Sequence, residues 1–183
     1  MKIFVETDRL ILREILSSDD QGMFELDSDP EVHKYVGQNP AKSIEECRKT
    51  IEYVREQYIS NGIGRWAVVE KASNNFIGWS GLKILTETVN KHTNFYDLGY
   101  RFSKKYWGKG FATESAQASL EYGIEKLKLK EIFAMTDPQN LASRKVLEKI
   151  GMKYIETFEY DGKPSWRKEG ELATWYKIII PTL

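Results

Sequence analysis

Along "RLILRE", residues 9–14, apolar and polar residues alternate with a period of two, the pattern of a half-buried strand. The period then changes. "SSDDQGMFEL" offers Ser17 or Ser18 as the N-cap of a short helix, and Pro30 follows it. Residues 43–59 carry a stronger helical signal: Ser43 and Glu46 have capping-box spacing, and Ile44, Cys47, Ile51, Val54 and Tyr58 share one face that ends at Gly62. "RWAVVEK" and "FIGWSGLKIL" are β-rich runs joined by "ASNN", which predicts a hairpin. A third run, "NFYDLGYRF", places Phe95, Asp97, Gly99 and Arg101 on one face and Tyr96, Leu98, Tyr100 and Phe102 on the other. Gly99 inside it suggests a bulge or a close backbone approach.

Past "YWGKG", Ala112, Ala116, Leu120, Ile124 and Leu127 form the stripe of a long helix, and the strand "EIFAMT" follows. "DPQNLASRKVLEKIG" predicts a helix with Asn140 as N-cap and Gly151 at its end. "MKYIETFEY" and "ELATWYKIII" then read as a closing pair of strands around "DGKPSWRKEG". The order is strand, two helices, three strands, helix, strand, helix, two strands. Such an order predicts an α/β fold with a mixed, mostly antiparallel sheet, whose parallel pairs would come from the strand-helix-strand units at 94–136 and 131–159.

Composition narrows the setting. At 183 residues, without repeats or a low-complexity linker, the chain is expected to form a single domain over 1–183. Its 27 basic and 27 acidic residues cancel, which argues against nucleic acid as a partner. One cysteine and two histidines support neither a disulfide framework nor a metal site. With no apolar stretch of about 20 residues and no leader-like N-terminus, the expected setting is the cytoplasm, away from membranes.

The chemistry begins at "YWGKGFATE". A strand, a glycine turn and a helix N-terminus make a ready anion site, because the first amides of the helix lack partners and its dipole is positive there. Gly108 and Gly110 could equally serve only a tight turn. A dinucleotide fingerprint fails at Thr113, where it needs glycine, and a P-loop fails for want of Gly-Lys-Ser/Thr.

Taken together and in order, "ETDRLILRE", "DPEVHKYVG", "FIGWSGL", "DLGYRFSKKYWGKGFATE" and "DPQNLASRKVLEKIGM" resemble the GNAT-superfamily acetyltransferases, in the branch of the ribosomal-protein-alanine N-acetyltransferases. The resemblance covers nearly the whole chain. It implies the acyl-CoA N-acyltransferase fold: about seven strands, splayed in the middle, and about four helices. The family's pyrophosphate motif falls on Trp107 to Ala112, with Trp107 in place of Gln or Arg. By resemblance, amides of Lys109, Gly110, Phe111, Ala112 and Thr113 hold the pyrophosphate of acetyl-CoA. Main-chain groups of Tyr100, Arg101 and Phe102 pair with the pantetheine arm, and Asn140 and Ser143 approach the sulfur.

Acetyl transfer to an amine needs a proton acceptor, an oxyanion donor and an acid for the thiolate. The expected catalytic residues are Asp97, as base directly or through water, and Ser143, as acid. A backbone N–H near Arg101 or Phe102, freed by a bulge, would face the oxyanion. No covalent enzyme intermediate is expected. The acceptor, a small molecule or a protein N-terminus, is expected opposite the cofactor, near residues 28–43 with Tyr35 and residues 161–170 with Trp166. Monomer and homodimer both remain open, and a CoA-binding sensor without turnover is the alternative function.

Overall fold

The structure is a computed structural model that describes residues 1–162 and 167–180. Its centre is a sheet of eight strands in the order β1-β2-β3-β4-β5-β6-β8-β7. The strands are β1 (Ile3–Glu6), β2 (Leu10–Arg13), β3 (Trp66–Glu70), β4 (Asn75–Leu85), β5 (Phe95–Phe102), β6 (Glu131–Thr136), β7 (Lys153–Glu159) and β8 (Leu172–Ile179). The helices are α1 (Asp20–Asp27), α2 (Pro30–His33), α3 (Ile44–Ser60), α4 (Phe111–Glu125) and α5 (Leu141–Lys149). Among the described residues none of them is long and apolar enough to cross a membrane.

The mixed, mostly antiparallel sheet agrees with the sequence pattern, and the differences have local causes. β1 is the strand beyond the expected seven; it is a four-residue edge strand with a register shift, too short to show alternation. α2 is the helix beyond the expected four. Pro30 starts it, in the first turn where a missing N–H costs nothing, and the Asp29 side chain caps it by accepting from the Glu31 amide at 2.9 Å. Neither Ser17 nor Ser18 caps α1. A 3-10 turn at Ser17–Asp19 precedes it, and Asp19 instead accepts the Leu16 amide at 2.7 Å and pairs with Arg13.

Ser43 does cap α3, accepting from the Glu46 amide at 3.4 Å, while Glu46 reaches back to the Lys42 amide rather than to that of Ser43. Cys47, Ile51 and Val54 are buried on the expected face of α3. The β3–β4 hairpin turns at Asn74, and β5 and β6 run parallel as expected. β6 and β7 are not neighbours, because β8 lies between them and is antiparallel to both.

Two layers cover the sheet. On one face α4 and α5 pack over a core that includes Trp66, Leu82, Leu98, Ile132 and Ala134; Phe4 stacks on Trp66 at 4.7 Å and Tyr122 meets its edge at 5.0 Å. Burial of each such side chain contributes about 1.5–3 kcal/mol. On the other face, α1 and α3 bury Met23, Leu26, Cys47 and Ile51 over the β2–β4 side. Phe95, Phe133 and Trp175 form a separate aromatic cluster toward β8.

Candidate functional site

β5 joins these regions. Its antiparallel ladder with β4 is unbroken from Phe95 to Phe102, but its parallel ladder with β6 has one rung, Asp97 to Phe133. From Leu98 onward β5 is unpaired on the β6 side, so a slot separates the two strands toward the turn that leads into α4. The expected bulge at Gly99 is absent from the β4 ladder; the nearby irregularity lies between β3 and β4, at Ile77. The main-chain groups of Tyr100 and Phe102 face the unpaired side instead, while those of Arg101 face β4.

At the mouth of the slot, Gly108 and Gly110 have φ of +74° and +83°, in the left-handed region where a side chain costs about 1–2 kcal/mol. The turn therefore needs glycine for its own backbone. It also leaves room: a Cβ at Gly108 would meet nothing within 4 Å, and one at Gly110 only Arg9 Nη2 at 3.4 Å. Gly110 is the N-cap of α4, and the first intrahelical bond runs from the Glu114 amide to its carbonyl at 3.0 Å. The amides of Phe111, Ala112 and Thr113 precede that bond. An open, left-handed cradle with free helix-terminal amides fits a pyrophosphate, and exposed Lys109 adds positive charge.

Two side-chain ties hold the cradle. Trp107 Nε1 donates to the Phe102 carbonyl at 2.7 Å, which fastens the turn to the end of β5. Arg9 donates to the Lys109 carbonyl at 3.0 Å, pairs with Glu114 at 2.5 Å and lies over the Phe111 ring at 4.5 Å. Thr7 adds a 2.6 Å bond to the same carboxylate. Burial raises the pKa of Glu114, but the bonds from Thr7 and Arg9 outweigh it and hold the carboxyl below its ordinary value. Helix-dipole complementarity accounts for only part of what Glu114 does, since it also ties the β1–β2 turn to the cradle.

Across the slot, Asn140 caps α5 by accepting from the Ser143 amide at 3.1 Å. The hydroxyls of Tyr100 and Ser143 are 3.0 Å apart, and Tyr100 also donates to the Ser143 carbonyl at 3.0 Å. β5 thus contributes a side chain as well as main chain on this face. Burial pushes the Tyr100 phenol above its ordinary value.

The opposite face of β5 is built differently. Lys83, Gly81 and Trp79 of β4 stand directly across from Asp97, Gly99 and Arg101. The Arg65 guanidinium lies over the glycine pair. It bonds the Gly81 carbonyl and the Asp97 carboxylate, and donates to the Asp97 carbonyl at 2.5 Å. A Cβ on Gly99 would sit 2.6 Å from its Nη2, so what approaches Gly99 is the Arg65 side chain and not the backbone expected there. Tyr58 of α3 fixes Arg65 through its carbonyl. Beside this pair, Arg101 meets Asp27 of α1 at 2.7 Å, with His33 3.7 Å from the same carboxylate. Burial raises the Asp27 carboxyl, but the nearby His33 and Arg101 together more than offset it, and its pKa lies below the ordinary value.

Asp97, the expected base, is therefore buried in an ion pair. Its Oδ1 has no hydrogen-bond partner among the described residues, while Oδ2 is taken by Arg65. Tyr35 lies just past α2, partly buried, and Trp166 lies outside the described residues. Among the described residues no group of three or more His, Cys, Asp and Glu could hold a metal.

Residues 9–153 match the acetyltransferase (GNAT) domain. An uncharacterized N-acetyltransferase p20 of Bacillus licheniformis is 30% identical over 171 residues, covering 93% of this chain and 86% of that protein. The FsC-acetyl coenzyme A-N(2)-transacetylase of Aspergillus fumigatus is 33% identical over 170 residues, covering 86% and 72%. A GNAT-family acetyltransferase structure from Bacillus anthracis superposes with a TM-score of 0.78 at 28% identity, over 98% of both chains. With the slot, the glycine cradle and the capped α5 in place, this chain belongs to the GNAT acetyltransferase family.

Proposed function

We propose that the chain transfers the acetyl group of acetyl-CoA to a primary amine by direct attack. The observation that carries this is the alignment of three features on one strand: the open cradle after β5, the unpaired edge of β5 from Leu98, and Tyr100 with Ser143 at the slot. Amides from Lys109 to Thr113 would hold the pyrophosphate, with the main chain of Tyr100 to Phe102 and the Asn140 amide along the pantetheine. Bound there, acetyl-CoA supplies the thioester carbonyl. The related fungal protein is named for acetyl coenzyme A and an N(2) acceptor, in keeping with this reading.

In this reading the residues handle protons. An α-amino group has a pKa of about 7.7 to 8.0, so part of it is already free near neutrality, and Asp97 Oδ1 receives the remaining proton through a water. The Ser143 hydroxyl, held by Tyr100, hydrogen-bonds the departing sulfur; with an ordinary thiol pKa of about 8.5 the thiolate leaves readily, and water supplies its proton, directly or through a serine that is reprotonated in the same step. No nucleophile of the chain is required. Burial pushes the Cys47 thiol up to about 11, and it sits under α3 rather than at the slot.

Mixing the protein with acetyl-CoA and a panel of amines and peptides, with thiol release as readout, tests the proposal. Acetylated acceptor and stoichiometric thiol are expected. Thermal stabilisation by CoA without thiol release on any acceptor would instead mark a CoA sensor.

A further inference from the structure

The proton handling leaves one cation on the Asp97 face unassigned. Three basic side chains gather there. Arg65 is neutralised by Asp97 and Arg101 by Asp27, while Lys83 makes no hydrogen bond or ion pair with any described residue. Lys83 is partly buried and stands directly across from Asp97 on the same sheet face. Glu87 acts on it only from a distance. Asp97 and Asp27 are each taken by an arginine, and among the described residues Lys83 is left without a direct partner.

We propose that Lys83 anchors a carboxylate of the amine acceptor, so that the substrates are amines bearing an acidic group a few bonds from the reacting nitrogen, such as amino acids, and not polyamines. The inference rests on the acetyl-transfer reading and deepens it. Neighbouring strands are about 4.8 Å apart, and β4 is one strand further from the slot than Asp97. Lys83 is thus set back from the carbon to be attacked, where a substituent of the acceptor lies, and not beside the reacting nitrogen. Burial, and then the nearby Arg65, push the Lys83 ammonium below its ordinary pKa, while Asp97 and Glu87 act the other way without meeting it as a direct counter-ion. An arriving carboxylate supplies that counter-ion. A second ammonium placed at Lys83 meets its positive charge instead, with Asp97 and Asp27 each already paired with an arginine.

The test compares matched acceptors with acetyl-CoA: a free amino acid, its carboxamide, and spermidine. A dipeptide pair with Asp or Asn at the second position separates a main-chain carboxylate from a side-chain one. The wild-type kcat/KM is expected to favour the carboxylate member of at least one pair about ten- to hundredfold. Lys83→Gln should bring that ratio near one with CoA affinity unchanged, and Lys83→Arg should keep most of it. In CoA-saturated protein the carboxylate ligand should raise the unfolding temperature of wild type and not of K83Q. A wild-type ratio near one, a ratio unmoved in folded K83Q, or spermidine as the best acceptor would overturn the assignment. Thiol release on no amine at all would overturn the acetyl-transfer reading, and this inference with it.

Discussion

The two faces of β5 are built by different means. On the α4/α5 face the site is mostly main chain: left-handed glycines, free helix-terminal amides and an unpaired strand edge. On the α1/α3 face it is side chain: Arg65 with Asp97, Arg101 with Asp27, and Lys83. Main-chain recognition tolerates sequence change wherever the backbone conformation survives. Side-chain recognition depends on long-range partners, and loss of one partner leaves the other buried and unpaired. The contrast suits a family that keeps one donor and varies the acceptor.

The sharpest way to break the contrast is Asp97→Asn. It leaves the Arg65 guanidinium buried without its counter-charge, so unfolding free energy should drop by about 3–5 kcal/mol in urea titration, while CoA affinity holds. A loss below about 1 kcal/mol would mean the pair is effectively solvated. Next comes Gly110→Ala, which should cost about 1–2 kcal/mol through its φ and weaken CoA binding in calorimetric titration without moving the acceptor KM. Gly108→Ala carries the same backbone strain over open space. Any CoA loss beyond that of Gly108→Ala therefore belongs to the helix N-terminus.

Acid titration probes both faces at once. Asp27 and Glu114 have depressed pKa values in the folded state, so their stabilising effect is present above the unfolded value of about 4 and is lost as pH falls through the folded one. Urea stability should be level from pH 7 to 5 and fall below that, and Asp27→Asn should flatten the fall more than Glu114→Gln, since Glu114 is the more exposed. The smallest effect is expected for Tyr100→Phe. Loss of its bonds to Ser143 should lower kcat about fivefold with unchanged CoA affinity.

What could be read from the chain follows the same division. The cradle and the α5 cap are written within a few residues, as Gly108 with Gly110 and Asn140 with Ser143, and local spacing is what a sequence displays. Arg65 and Asp97 are 32 residues apart, Asp27 and Arg101 74, and Arg9 and Glu114 105. Nothing local announces such pairs. Gly99 suggests a bulge or a close backbone approach, and nothing local says that its neighbour is a guanidinium from before β3. Likewise the order of β7 and β8 depends on which edge β8 joins, and two consecutive strands of similar pattern do not specify that.

The single rung between β5 and β6 has a mechanical side. In a fully laddered sheet the distance between strands is fixed by repeated hydrogen bonds, whatever side chains the strands carry. Here a single rung, Asp97 to Phe133, joins the β1–β5 and β6–β8–β7 parts of the sheet, and beside it Phe95 meets Phe133 with ring centroids 5.3 Å apart. Beside that rung the spacing of the two strands therefore rests on side-chain packing more than on ladder bonds. A change of a methyl group or two at those positions could widen or narrow it without disturbing a ladder bond.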